Sequence, residues 1–210
     1  GIGRTSFKRR VNSAYSIALS YLNTSFENDE FIKRELNKSL TSISENIVVT
    51  STRTVEKETI QTIDLNSNTI IDYEVTIRDA LRSNPKLIRK RPLGYLIPEE
   101  NLEIIEKLKI LGLKATIIDR DSIMKVEKFK ITYYNNNFDK YEKMNLQSVK
   151  AEIERDNVLI KKGTFLILTN QSRANILTEL LEPEAPNSFV SFGILKTKIN
   201  ETLPIYRLIN

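Results

Sequence analysis

The chain has 210 residues, with 32 Lys and Arg against 27 Asp and Glu, a formal charge of +5, and no His, Cys or Trp. Without His or Cys there is no Ser-His-Asp triad, no Cys-His dyad, no ordinary protein zinc site, no disulfide and no thiolate nucleophile. Carboxylate chemistry, Lys chemistry and oxygen-ligated Ca²⁺ or Mg²⁺ stay open, as do binding and structural roles.

The length suits one domain, or one domain with a piece of another. A hydrophobic share of 40% is enough for a sizeable core. No apolar run approaches the roughly 18 residues of a membrane span, and the N-terminus has no signal-peptide h-region. Gly1 stands where a Met would open a complete chain, which points to an excised or processed piece. The positive balance invites a nucleic-acid reading. The basic residues are spread among acidic ones, however, and the densest cluster is Lys86, Arg89, Lys90 and Arg91. That cluster reads as a solvated loop leading into a strand, and no nucleic-acid partner is assigned.

Residues 5–45 read as two helices. Val11, Tyr15, Ile17, Ala18, Leu19 and Leu22 recur at three-to-four spacing. Asn28 and Asp29 open the second helix, which is expected to bury Phe31, Ile32, Leu36 and Leu40. From Val48 the chain alternates polar and apolar residues. Val55–Leu65 and Thr69–Ile77 predict a β-hairpin around the turn residues Asn66, Ser67 and Asn68. Residues 79–92 read as polar, basic and irregular.

A βαβ-like unit follows. Leu93–Ile97 is its first strand. Pro98, Glu99 and Glu100 open a helix, with proline in the first turn and acids where the dipole favours them. Leu102, Ile105, Leu108 and Leu111 line its buried face, and Gly112 is the expected C-cap. Leu113–Ile118 is the second strand. Val126–Tyr134 is another strand, Asn135–Asn137 a loop, and residues 144–160 hold one or two strands. Gly163-Thr164 reads as a turn before the strand Thr164–Thr169. Ser172 is placed to cap a helix ending at Leu181. The chain after Leu181, with Pro183, Pro186 and Pro204, reads as ordered coil.

Two places are candidate pocket walls. Thr169, Asn170, Gln171 and Ser172 end one strand, and Pro98, Glu99 and Glu100 end another. Ligands of open α/β sheets gather at such ends. The alternative for both is helix capping and turn formation. Glu182-Pro183-Glu184 suggests a carboxylate pair. Residues two apart across a proline are expected to point in different directions, so a structural role for Glu182, accepting Arg or backbone hydrogen bonds, is the preferred reading.

Several segments, in order, resemble the C-terminal region of bacterial zinc metallocarboxypeptidase-like proteins. They are Arg91-Pro92 with Tyr95-Leu96-Ile97-Pro98, then Leu111-Gly112-Leu113, then Val126-Glu127-Lys128-Phe129-Lys130-Ile131. Gly163-Thr164 with Gln171 comes next. The most specific is Leu180-Leu181-Glu182-Pro183-Glu184-Ala185-Pro186-Asn187-Ser188-Phe189-Val190. Pro204-Ile205-Tyr206-Arg207-Leu208 completes the set. Arg9-Arg10-Val11 and their helix resemble the last helix of the peptidase domain.

The resemblance implies a parent whose catalytic domain binds zinc through an H-x-x-E pair and a later His, with a Glu as general base. None of those residues is carried over, because this chain has no His and the family's catalytic Glu precedes the first helix. No catalytic or metal-ligating residue is therefore assigned here, and the zinc belongs to the catalytic domain. Arg91, Pro92, Tyr95, Pro98, Gly112, Gly163, Thr164, Gln171, Leu181, Glu182, Pro183 and Ser188 are expected to be structural.

The expected fold is α/β or α+β. Residues 1–46 would be terminal helices of the peptidase domain, and residues 47–210 an accessory domain with a hairpin and a mixed sheet holding the βαβ unit. The expected function is a non-catalytic C-terminal domain whose partner is its own catalytic domain, in a periplasmic or extracellular protein. The alternative is a stand-alone surface module for peptide or glycan.

Overall fold

The computed structural model describes residues 6–141 and 143–210. The chain is an α+β protein in two units, Gly1–Ile43 and Ser44–Asn210. The first unit holds α1 (Phe7–Glu27) and α2 (Asp29–Thr41). Ser6 caps α1 by accepting from the Arg9 N–H at 3.3 Å. Residue 5, where the sequence suggested the helix begins, lies outside the described residues. The burial expected for the second helix does not occur, and the stripe of the first is open as well. No described residue of α1 is buried, and Tyr15, Leu22, Phe31 and Leu36 are all more than half exposed. Helical period puts such residues on one stripe but does not supply the surface that covers it.

The second unit begins with a long antiparallel ribbon, β1 (Asn46–Asp64) and β2 (Thr69–Lys90). Its turn is held by Asp64, which accepts from the Asn66 N–H at 3.1 Å and the Ser67 hydroxyl at 2.7 Å. Asn68 supplies the left-handed residue, at φ 54°. Residues 79–90, expected to be irregular, continue the strand. Pairing with β1 runs on to Asn46↔Lys90, and an irregularity at Arg53/Thr54 absorbs the change of register. The ribbon is therefore more than twice the usual strand length of 5–6 residues.

The remaining strands are β3 (Gly94–Ile97), β4 (Thr116–Ile117), β5 (Ser122–Tyr141), β6 (Met144–Ile160), β7 (Phe165–Leu168) and β8 (Thr202–Leu208). They form one sheet in the order β4-β7-β3-β8-β5-β6, and each neighbouring pair is antiparallel. Between β3 and β4 run a 3₁₀ turn (Glu99–Asn101) and α3 (Leu102–Ile110). β3 and β4 run the same way with β7 between them, so the βαβ unit is of the split kind. α4 (Ala174–Leu181) follows β7.

Two expectations of coil fail for one reason. Asn135 and Asn136 are paired with Ser148 and Gln147 inside β5, and the supposed terminal coil contains β8, an inner strand of the sheet. Local turn-forming and helix-breaking residues are overridden by cross-strand pairing. Pro204 is tolerated in β8 because pairing with β5 skips across a bulge there and pairing with β3 stops at Tyr206.

One face of the sheet carries the main core. Tyr95, Ile97, Phe129, Ile131, Ile167, Leu203 and Ile205 meet Ile104, Ile105 and Leu108 of α3, Leu177 and Leu181 of α4, and Phe189 and Leu195 of the following coil. The register explains this, because residues two apart on a strand share a face. Leu102 and Leu111 are largely exposed, and Ile104 takes the buried position expected for them.

α3 ends in a complete Schellman turn. The Gly112 N–H donates to Lys109 O at 2.9 Å, and the Leu113 N–H to Leu108 O at 3.1 Å. Gly112 sits at φ +84°, a backbone conformation that favours glycine. In chemical denaturation, Leu108→Ala should cost about 2–5 kcal/mol. Leu81→Ala, at a fully open ribbon position, should change stability by less than about 0.5 kcal/mol. Similar losses at both positions would contradict this placement of the core.

Candidate functional site

The chemistry-bearing side chains converge on one buried ionic cluster at the sheet face beside α4. Its base is a single row across four strands. Tyr95 on β3 lies opposite Arg207 on β8, Arg207 opposite Glu127 on β5, and Glu127 opposite Arg155 on β6. All point to one side because they share a register line. Glu182 and Glu184 enter from the segment after α4, and Arg89 from the end of β2.

Glu182, 1% exposed, is the shared acceptor. Its Oε1 accepts from the Tyr95 hydroxyl at 2.6 Å and from Arg207 Nε at 3.0 Å. Its Oε2 accepts from Arg89 Nη1 at 2.9 Å. Arg207, 2% exposed, also donates through Nη1 to Glu127 Oε2 and through Nη2 to the Lys90 carbonyl. Arg155 Nε reaches the other Glu127 oxygen at 3.2 Å. Glu184 grips Arg89 with both oxygens, at 2.6 and 2.8 Å, and accepts from the Ala151 N–H at 2.8 Å. The Arg89 guanidinium also lies over the Phe129 ring at 5.5 Å.

Two buried arginines, Arg89 and Arg207, and the largely exposed Arg155 thus face three glutamates. Buried charges are tolerated when paired and hydrogen-bonded in this way. Burial is the largest influence on the Tyr95 phenol, and the Glu182 carboxylate adds to it. Together they push its pKa well above the ordinary value. Burial alone would lower Arg89, but the Glu184 and Glu182 carboxylates outweigh it and raise it. The expectation that Glu182 and Glu184 point apart is overturned, since both carboxylates meet the same Arg89 nitrogen. The charged cluster read as a solvated loop also differs, because Arg89 is buried. An isolated sequence motif shows neither fact, because both depend on the ribbon docking against α4.

Many residues of the quoted motifs build or flank this cluster. Pro183 O accepts from Ser188 Oγ at 2.9 Å, and Ser188 Oγ also meets Ser191 Oγ at 2.9 Å. Leu181 is buried in the core. Arg91 holds Ser44 O at 2.7 Å and Asn175 Oδ1 at 2.9 Å. Pro92 O accepts from Thr169 Oγ1 at 2.6 Å. Thr164 is buried and closes its turn onto Lys161 O at 3.2 Å.

The two candidate pocket walls behave differently. Thr169 and Gln171 bind the chain's own backbone. Gln171 Nε2 donates to Leu168 O at 2.7 Å and Lys114 O at 3.2 Å, while its Oε1 accepts from the Lys114 N–H at 2.8 Å. Asn170 and Ser172 are exposed. Ser172 is not the helix cap, because Arg173 occupies that position at φ 67°. Its Nη1 instead donates to Leu111 O at 2.6 Å, against Gly112. The sheet here is antiparallel, so the rule for strand ends of parallel sheets has no frame to act in.

Pro98, Glu99 and Glu100 do line a cleft of about 350 Å³, with Lys161, Lys162, Thr164 and Tyr206. Gly163, at φ +94°, lets Glu99 approach, since a Cβ there would lie 3.0 Å from Glu99 Oε2. Sequence reasoning assigned no role to Arg89, Glu127 or Arg207. A signal existed for the strand residues. Arg207 follows Leu203 and Ile205, and Glu127 precedes Phe129 and Ile131, each at the inward parity.

Tyr95→Phe tests the cluster. It removes one donor to a buried carboxylate, which should cost about 1.5–3 kcal/mol at neutral pH. The raised folded pKa means that Tyr95 contributes stability below the unfolded value near 10 and loses it as pH rises above that. The wild type should therefore lose stability above pH ~10 more steeply than the variant. Parallel alkaline profiles would contradict the role assigned to Tyr95.

No protein-family model matches the chain, and no solved structure gives a significant match. Among curated proteins it is similar to carboxypeptidase 2 of Trichophyton rubrum, 28% identical over 99% of this chain. The carboxypeptidase 2 proteins of Trichophyton equinum and Trichophyton tonsurans are 27% and 26% identical over the same share. The chain spans 39% of the length of each of these fungal relatives.

Proposed function

We propose that the chain is the non-catalytic C-terminal region of a zinc-dependent carboxypeptidase. In this reading residues 47–210 form an accessory α+β domain, and residues 1–46 are terminal helices of the peptidase domain. One observation carries the reading. Nearly the whole chain is similar to proteins called carboxypeptidase 2, yet it spans only 39% of their length.

The residue inventory supports it. The chain has no His or Cys to ligate zinc. Among the described residues no group of three or more acidic side chains is placed to hold a metal ion. The buried carboxylates are engaged by arginines, which suits a framework and not an acid-base pair. The open apolar stripes of α1 and α2 also fit, as helices whose cover belongs to the peptidase domain. The assignment to the bacterial zinc branch, and to a periplasmic or extracellular protein, rests on the motifs around Arg91, Gly163 and Glu182. The partner in this reading is the protein's own catalytic domain.

The purified chain, supplied with zinc, should release no C-terminal amino acids from a mixed set of peptides. Release that a chelator abolishes would overturn the non-catalytic reading. The coding sequence upstream of Gly1 should contain an H-x-x-E pair, a later His and a Glu. A start codon at that point would contradict the parentage.

A further inference from the structure

The junction from β2 to β3 forms one wall of a second cleft, of about 220 Å³. Lys90 and Arg91 stand on that wall. Lys125 and Glu127 of β5, Arg155 of β6 and Asn210 also line the cleft. Four of these side chains are cations, and one is a carboxylate. Glu127 is already engaged, because Arg207 and Arg155 hold its two oxygens. Lys90 has a loose exposed pairing with Glu45 at 3.5 Å. Among the described residues, no carboxylate pairs with Arg91 or Lys125.

Arg91 is unlike the arginines beside it. Arg89 and Arg207 each lie between two carboxylates. Arg91 has only neutral acceptors, the Ser44 carbonyl and the Asn175 amide. Its Nη1 is buried with no acceptor at all. A buried charged donor without an acceptor is destabilising, and an anion nearby relieves it. Burial accordingly holds Arg91 below its ordinary pKa, in contrast to Arg89. Arg91, which has no carboxylate partner, thus stands at a cleft with a surplus of cations.

We propose that this cleft binds a small oxyanion, carboxylate or phosphate, with Arg91, Lys125 and Lys90 as its cations. The guanidinium fork suits the planar oxygen pair of a carboxylate and the oxygens of a phosphate. The volume lies below the roughly 300–1,000 Å³ of pockets for drug-sized ligands, which selects a small anion over an extended chain. The proposal does not depend on the peptidase reading, and each can fail alone.

The test titrates the 210-residue chain, at low ionic strength, with inorganic phosphate and separately with succinate, followed by calorimetry and the thermal midpoint. At least one anion should bind saturably and raise the midpoint, as a ligand of the folded state must. Phosphate alone or succinate alone would identify the chemistry, and neutral succinamide should not bind. Lys125→Gln removes an exposed side chain that makes no hydrogen bond, so its fold is safe. It should weaken binding by roughly fivefold or more, since a charge close to the anion is lost. Lys196→Gln, which removes the same charge elsewhere, should leave Kd unchanged. The proposal is overturned if neither anion binds, if Lys125→Gln binds like the wild type, or if both variants weaken binding equally.

Discussion

One carboxylate organises the second unit of this protein. Glu182 is fully buried and accepts from Tyr95 of β3, Arg207 of β8 and Arg89 of β2. Its position, directly after α4, means that a helix end, two sheet strands and the root of the ribbon meet at two oxygens. An ionised carboxylate in that setting is strongly disfavoured unless its partners are held in place. The fold holds them by register: Tyr95, Arg207, Glu127 and Arg155 are consecutive cross-strand neighbours. A shift of two residues in any of these strands would keep its apolar residues on the core face but carry its polar residue away from the row and leave the others unpaired. The cluster thereby selects one register from those that hydrophobic alternation alone would permit.

The same cluster accounts for the ribbon. A two-stranded hairpin is marginal by itself, and most side chains of β1 and β2 are exposed. Its root is secured by Ile47 and Val49 against Ala185 and by the double grip of Glu184 on Arg89. The Glu182-Pro183-Glu184 segment uses one carboxylate for the sheet and the next for the ribbon. Proline stiffens the chain between them and fixes φ, and Ser188 ties its carbonyl down.

Much of this was legible in the sequence. The helix pair, the hairpin turn, α3 with its glycine stop, and the strand before Gln171 all follow from period and turn chemistry. The preference for a structural Glu182 over a catalytic one came from the residues alone. What was not legible depended on contacts distant in the chain. Arg89 and Arg207 are separated from their partners by 93 and 25 residues, and nothing local marks Arg89 as inward-facing. Residues 79–90, Asn135–Asn136 and β8 read as loop or coil because their local composition favours it, while the ladder beside them enforces strand. The helices posed the reverse problem, since their period was clear but their cover was not.

The charged side chains of the cluster therefore do architectural work at the sheet face, while Arg91 and Lys125, with no carboxylate partners among the described residues, line a neighbouring cleft. The claim on which the rest depends is that Glu182 and Arg207 act as one unit. Chemical denaturation of Glu182→Gln, Arg207→Met and the double variant measures this directly. The two losses should be strongly non-additive, with a coupling of about 1–3 kcal/mol. Losses that add to within about 0.5 kcal/mol would show two independent residues and contradict it.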